Sequence, residues 1–111
     1  MPAKLSKKER KALKMFKVAL VESLGSRFVE ARLFGSKARG DCRRDSDIDV
    51  AIIIRAGNWH ISDVVYAIAT DIFLESGIAL SPKVMNERQY RFLKRAKSTF
   101  AENIAREGIV L

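Results

Sequence analysis

Asp47 and Asp49 stand two residues apart at the start of a β-branched, apolar run, Val50-Ala51-Ile52-Ile53-Ile54. Ten residues separate Asp47 from the pair Gly35-Ser36, which follows the stretch Phe28 to Phe34. In an extended chain alternate side chains share a face, so two carboxylates at this spacing stand side by side while Ile48 points into a core. Paired hard oxygens suit Mg²⁺, which takes one or two carboxylates and completes its shell with water and substrate phosphates. A glycine where a strand gives way to a helical turn lets backbone N–H groups approach an anion, and Ser36 adds a hydroxyl donor. Lys37 and Arg39 put two cations in the same loop, where they either assist phosphates or are simply solvated. The chemistry that fits is a nucleoside triphosphate bound with Mg²⁺, where positioning and charge neutralisation carry phosphoryl or nucleotidyl transfer. Gly-Ser or Asp-x-Asp alone says little. At about 5–7% per residue, the four fixed positions together arise by chance in on the order of one chain per thousand.

The surrounding pattern supplies elements able to hold these residues. An N-terminal helix is expected over about 4–24, with Leu13, Phe16, Ala19 or Leu20, and Leu24 on one face and Gly25 closing it. Phe28 to Phe34 reads as a strand with Val29, Ala31 and Leu33 on one side and Phe28, Glu30, Arg32 and Phe34 on the other. A polar loop with one helical turn follows to Ser46. Asp47 to Ile54 is the second strand; its end is apolar on both faces, which predicts a central position in a covered sheet. After the break at Arg55 to Asn58, a helix runs to about Ser76, its buried stripe formed by Ile61, Val64, Val65, Ile68 and Ile72. Ile78 to Met85 is the third strand, and Pro82 within it predicts an edge or a bulge. The last helix is expected over about 87–106, with Tyr90, Leu93, Phe100 and Ile104 facing inward and Gly108 before a short apolar tail. The order α-β-β-α-β-α predicts an α/β (α+β) fold, a small mixed sheet backed by helices, in one domain over 1–111 with its core at about 27–85.

With 111 residues there is room for one compact domain, and 48% hydrophobic residues argue against disorder. If the chemistry needs a large acceptor site, a partner is expected to supply it. The net charge of +8, from 21 Lys+Arg against 13 Asp+Glu, favours anionic partners: nucleotide phosphates, nucleic acid or an acidic protein surface. Residues 4 to 17 carry seven basic positions against Glu9 alone, whereas Asp63 to Glu75 contains three acids and no Lys or Arg. The single cysteine, Cys42, forms no internal disulfide and fits a reducing, cytoplasmic setting. No secretory signal run is apparent, and the longest apolar stretch, Val50 to Ile54, is too short to span a bilayer. Trp59-His60 fits a nucleotide base or partner contact, or a helix start beside an exposed imidazole. Arg88, Arg91 and Arg95 share a helix face that is either solvated or turned to an acidic partner or RNA.

Gly35-Ser36, ten residues, then Asp47-Ile48-Asp49 resembles the signature of the DNA polymerase β-like nucleotidyltransferase superfamily. The short length, Gly35-Ser36-Lys37-Ala38-Arg39-Gly40 and the ending Asn103 to Ile109 are similar to its minimal nucleotidyltransferase branch, which includes MntA-type antitoxins paired with HEPN-domain toxins. The resemblance covers the chain from Phe28 onward. It implies a polymerase β palm-like fold, Gly35 and Ser36 on the triphosphate, and Asp47 and Asp49 as catalytic carboxylates holding Mg²⁺. It also implies transfer of AMP from ATP to a hydroxyl of a HEPN-type helical partner, often a tyrosine. Self-association and nucleic acid stay open as further contacts.

The chain departs from that pattern at one point. Superfamily enzymes usually carry a third carboxylate on a later strand, and Gly77 to Met85 has no Asp or Glu; Ala79 or Ser81 is the expected occupant, with Lys83 repelling a metal if it faces the site. Glu87, Asp71, Glu75, Asp41 and Asp45 are the acids that remain as substitutes. Two alternatives follow: a nucleotide- and metal-binding scaffold that neutralises a partner without turnover, and an RNA-binding nucleotidyltransferase.

Overall fold

The computed structural model describes residues 5–35, 47–55 and 59–111, with the backbone alone at 59, 100 and 105–107. Helix α1 (Lys7–Leu24) begins at a reciprocal capping box. The Ser6 hydroxyl accepts from the Glu9 amide at 3.1 Å, and the Glu9 carboxylate accepts from the Ser6 amide at 2.8 Å. Amide donors that a helix start leaves without intrahelical partners are satisfied this way. Ala12, Leu13, Phe16, Leu20 and Leu24 form its buried face. Gly25, at φ +55°, opens a 3₁₀ turn (Gly25–Arg27) that leads into strand β1 (Phe28–Phe34).

Strand β2 (Ile48–Ile54) pairs antiparallel with β1 and parallel with β3 (Leu80–Asn86); β4 (Ile109–Val110) pairs antiparallel with β1. The sheet order is β3-β2-β1-β4, so the β-branched strand is central and the Pro82 strand lies at an edge, both as expected. Helix α2 (Trp59–Ser76) links β2 to β3, and Gly77 at φ +77° stops it. On one face Ile48, Val50, Ile52 and Ile54 join the buried residues of α1 with Ile61, Val65, Ala69 and Ile72 of α2. On the other, Ala51 and Ile53 pack with Met85, Tyr90, Ala101 and Ile104 from the C-terminal segment. Helices on both faces explain the unbroken apolar run of β2.

Four details differ from the sequence reading. A register shift between Phe28 and Glu30 moves Phe28 to the α1–α2 face and Val29 to the opposite one, because a bulge adds a residue and reverses alternation. Val64 is 38% exposed, and Ala69 takes its place in the buried stripe of α2. The helix expected over 87–106 is two: α3 (Glu87–Arg95) and α4 (Thr99–Glu107). Lys97 at φ +55° breaks the run, and the Ser98 hydroxyl accepts from the Ala101 amide to start α4. The apolar tail is strand β4, fixed where the Leu111 amide donates to the Ala31 carbonyl at 2.9 Å. No helix among the described residues is long and apolar enough to cross a membrane.

Candidate functional site

Every residue of β2 is buried except Asp49. A half-buried carboxylate in the most apolar strand of the sheet breaks the local pattern, and such breaks concentrate where function demands them. Asp49 lies on the sheet face opposite Ile48, whose side chain is 1% exposed in the core. Asp47 sits one residue before β2 and is exposed. The Ile48 amide between them donates to the Ala79 carbonyl at 3.0 Å, which ties the start of β2 to the approach to β3.

Gly35 completes the geometry. It follows β1 at φ +76°, and its neighbour Phe34 is the register partner of Asp49. A Cβ built on Gly35 would stand 3.2 Å from Asp49 Cγ and closer still to Oδ2. Asp49 therefore fills the room that the missing side chain leaves. Two requirements meet at Gly35, a left-handed backbone and a vacant Cβ position, and only glycine meets both without strain. Gly35 and Asp49 are thus neighbours across the paired ends of β1 and β2. Ser36, Lys37, Arg39, Asp41, Cys42 and Asp45 lie outside the described residues.

On the other side of Asp49, the parallel ladder puts Ser81 in register with it and Lys83 in register with Ala51. Alternation carries Ser81 and Lys83 to the face of Asp49; Ser81 is half-buried and Lys83 exposed. Within the stretch Gly77 to Met85, Ala79 and Ser81 are rivals on spacing alone, and the interstrand register puts Ser81 opposite Asp49. On β1, Arg32 is the partner of Ala51, and its Nε donates to Glu30 Oε1 at 3.1 Å. Asp71 and Glu75 are exposed on α2, and Glu87 is half-buried at the start of α3. His60 is exposed.

Among the described residues, no three His, Cys, Asp or Glu side chains gather into a metal cage. Asp47, exposed just before β2, and Asp49, half-buried within it, lie at the end of the sheet where β1, β2 and β3 meet. Carboxylates are the donor type that a hard cation completes with water and phosphate oxygens.

The family model described as "Polymerase beta, Nucleotidyltransferase" matches residues 25–111. A Methanocaldococcus jannaschii protein assigned as a protein adenylyltransferase is 35% identical over 103 residues, covering 93% of this chain and 97% of its own. A solved structure assigned as a minimal nucleotidyltransferase superposes with a TM-score of 0.57 at 22% identity, over 92% of this chain and 94% of that one. A toxin–antitoxin structure with AMP-PNP gives a TM-score of 0.53 at 18% identity, over 86% of this chain and 68% of that one. At these identities the two structures speak for the fold.

Proposed function

The chain belongs to the polymerase beta nucleotidyltransferase family, and on that premise we propose that it is a minimal protein adenylyltransferase moving AMP from ATP to a hydroxyl of a partner protein. The observation that carries this reading is the contact between Gly35 and Asp49, a glycine corner kept free of side chain for a carboxylate at a strand mouth. Asp47 and Asp49 would hold Mg²⁺ as the metal and catalytic residues. Gly35 and Ser36 would cradle the triphosphate, with Lys37 and Arg39 beside it. When bound, Mg²⁺ supplies charge neutralisation at the phosphates. The protein's own contribution would be orientation: β2 fixes Asp49 through the ladders on both sides, and Gly35 leaves the space that the Asp49 carboxylate occupies.

A toxin–antitoxin role, with a HEPN-type helical protein as acceptor in the cytoplasm, is the setting we infer. The adenylyltransferase relative and the toxin–antitoxin fold neighbour support it. Incubating the protein and a co-encoded helical partner with ATP labelled at the α-phosphate tests the proposal. Label on the partner that depends on Mg²⁺ and disappears in Asp47→Asn/Asp49→Asn is the expected result. No label, with nucleotide binding unchanged in that double variant, overturns it.

A second reading, a binding scaffold without turnover, is favoured by Ser81, which stands in register with Asp49 where an acid would complete a trio of carboxylates. Losing one ligand group lowers rate far more than ground-state binding, so tight ATP binding without transfer is its signature.

A further inference from the structure

Between the edge strand β3 and helix α3 lies an open groove of about 570 Å³ lined by Val84, Met85, Arg88, Gln89, Phe92 and Leu93. Phe92 is 68% exposed at its rim. Helix α3 carries Arg88, Arg91, Lys94 and Arg95 against the single acid Glu87. Lys94 is engaged over the Tyr90 ring, 4.9 Å from its centroid. Arg88, Arg91 and Arg95 are exposed and, at helical spacing, share the side that bears Phe92. Apolar walls under a cationic rim match an occupant that is both apolar and acidic. An RNA backbone would match the arginines but would leave the apolar walls unused.

The groove also has a fixed relation to the candidate site. Met85, which lines it, and Ser81, which stands beside Asp49, lie on one strand and one face, four residues apart. At roughly 3.3 Å per residue this separation is about 13 Å, and the cation Lys83 is exposed midway. We propose that this groove docks the acceptor protein through an acidic, extended segment. Its apolar anchor seats against Phe92 and Met85, its acids meet Lys83 and Arg88, and its acceptor hydroxyl lies about four residues from the anchor, at the level of Asp49. The inference rests on the adenylyltransferase reading and adds the chemistry of the acceptor.

Two fluorescein-labelled acidic peptides test it, one with tyrosine four residues before a Leu-Phe anchor and one with tyrosine four residues after. Matching peptides with lysine for every acid, and an oligouridylate, serve as comparisons. Anisotropy should show saturable binding of at least one acidic peptide and little of the basic ones. Arg88→Glu and Phe92→Ala should each weaken it by about tenfold or more. Both side chains are exposed, and a thermal melt of each variant verifies the fold. Absence of binding by both acidic peptides at about 1 mM overturns the proposal. So does binding indifferent to both substitutions, or oligouridylate binding lost in Arg88→Glu with which no acidic peptide competes. A fluorescent ATP analogue read on the wild-type protein keeps the two readings apart. Nucleotide binding without peptide binding sinks the docking groove alone, and absent nucleotide binding sinks the site.

Discussion

Gly35→Ala puts one methyl group where Asp49 now stands. Two costs can be separated because the fold contains its own control. Gly77 has nearly the same φ, +77° against +76°, yet a Cβ there meets nothing within 4 Å. Gly77→Ala therefore reports left-handed strain alone, on the order of 1–2 kcal/mol. Gly35→Ala carries the same strain and must also displace a carboxylate whose Cγ would lie 3.2 Å away. For a domain of this size each kcal/mol lowers Tm by roughly 3–6 °C, so Gly77→Ala should melt several degrees low and Gly35→Ala lower still. The larger contrast is functional. Moving a ligating oxygen by about 1 Å costs on the order of a hundredfold in rate, so Gly35→Ala should lose nucleotidyl transfer while Gly77→Ala keeps it. Removing the obstructing carboxylate closes the cycle. Asp49→Ala retains a Cβ 3.4 Å from the new methyl, an ordinary contact, so in that background Gly35→Ala should cost no more than Gly77→Ala. Thermal melts of the variants, Mg²⁺–ATP calorimetry and transfer of labelled AMP read all of this. Equal stability loss and equal nucleotide binding in the two glycine variants would refute the reasoning.

Ser81→Asp puts a third carboxylate in register beside Asp49. Without divalent cation it should destabilise the fold by up to about 1 kcal/mol through like-charge repulsion, and Mg²⁺ should reverse the loss in a melt. The same variant should raise AMP transfer; an unchanged rate with Mg²⁺ still binding would count against a role for this strand in turnover. Ser6→Ala removes the hydroxyl that accepts from Glu9 and should lower stability by about 1 kcal/mol in urea unfolding, with no effect on nucleotide binding. Ile52→Ala empties a fully buried position in the central strand and should cost about 2–5 kcal/mol, read as a lower urea midpoint.

The sequence by itself determined the residues of the candidate site and most of the frame around them. Gly35, Asp47 and Asp49 are local signals, and so are the apolar run that makes β2 central, the Pro82 that keeps β3 at an edge, and the glycines that end α1 and α2. Each acts over a few residues, through backbone freedom, a missing donor or side-chain period. What lay beyond sequence reach depends on contacts between distant segments. The bulge that reverses Phe28 and Val29 belongs to the pairing of β1 with β2. The break at Lys97 turns α4 back onto the sheet, and the tail becomes a strand only because β1 leaves it a free edge. That Asp49 occupies the Cβ space of Gly35, with Ser81 rather than Ala79 in register beside it, is set by how three strand ends align. Interstrand register is a property of pairs, and no single segment encodes its partner's alignment.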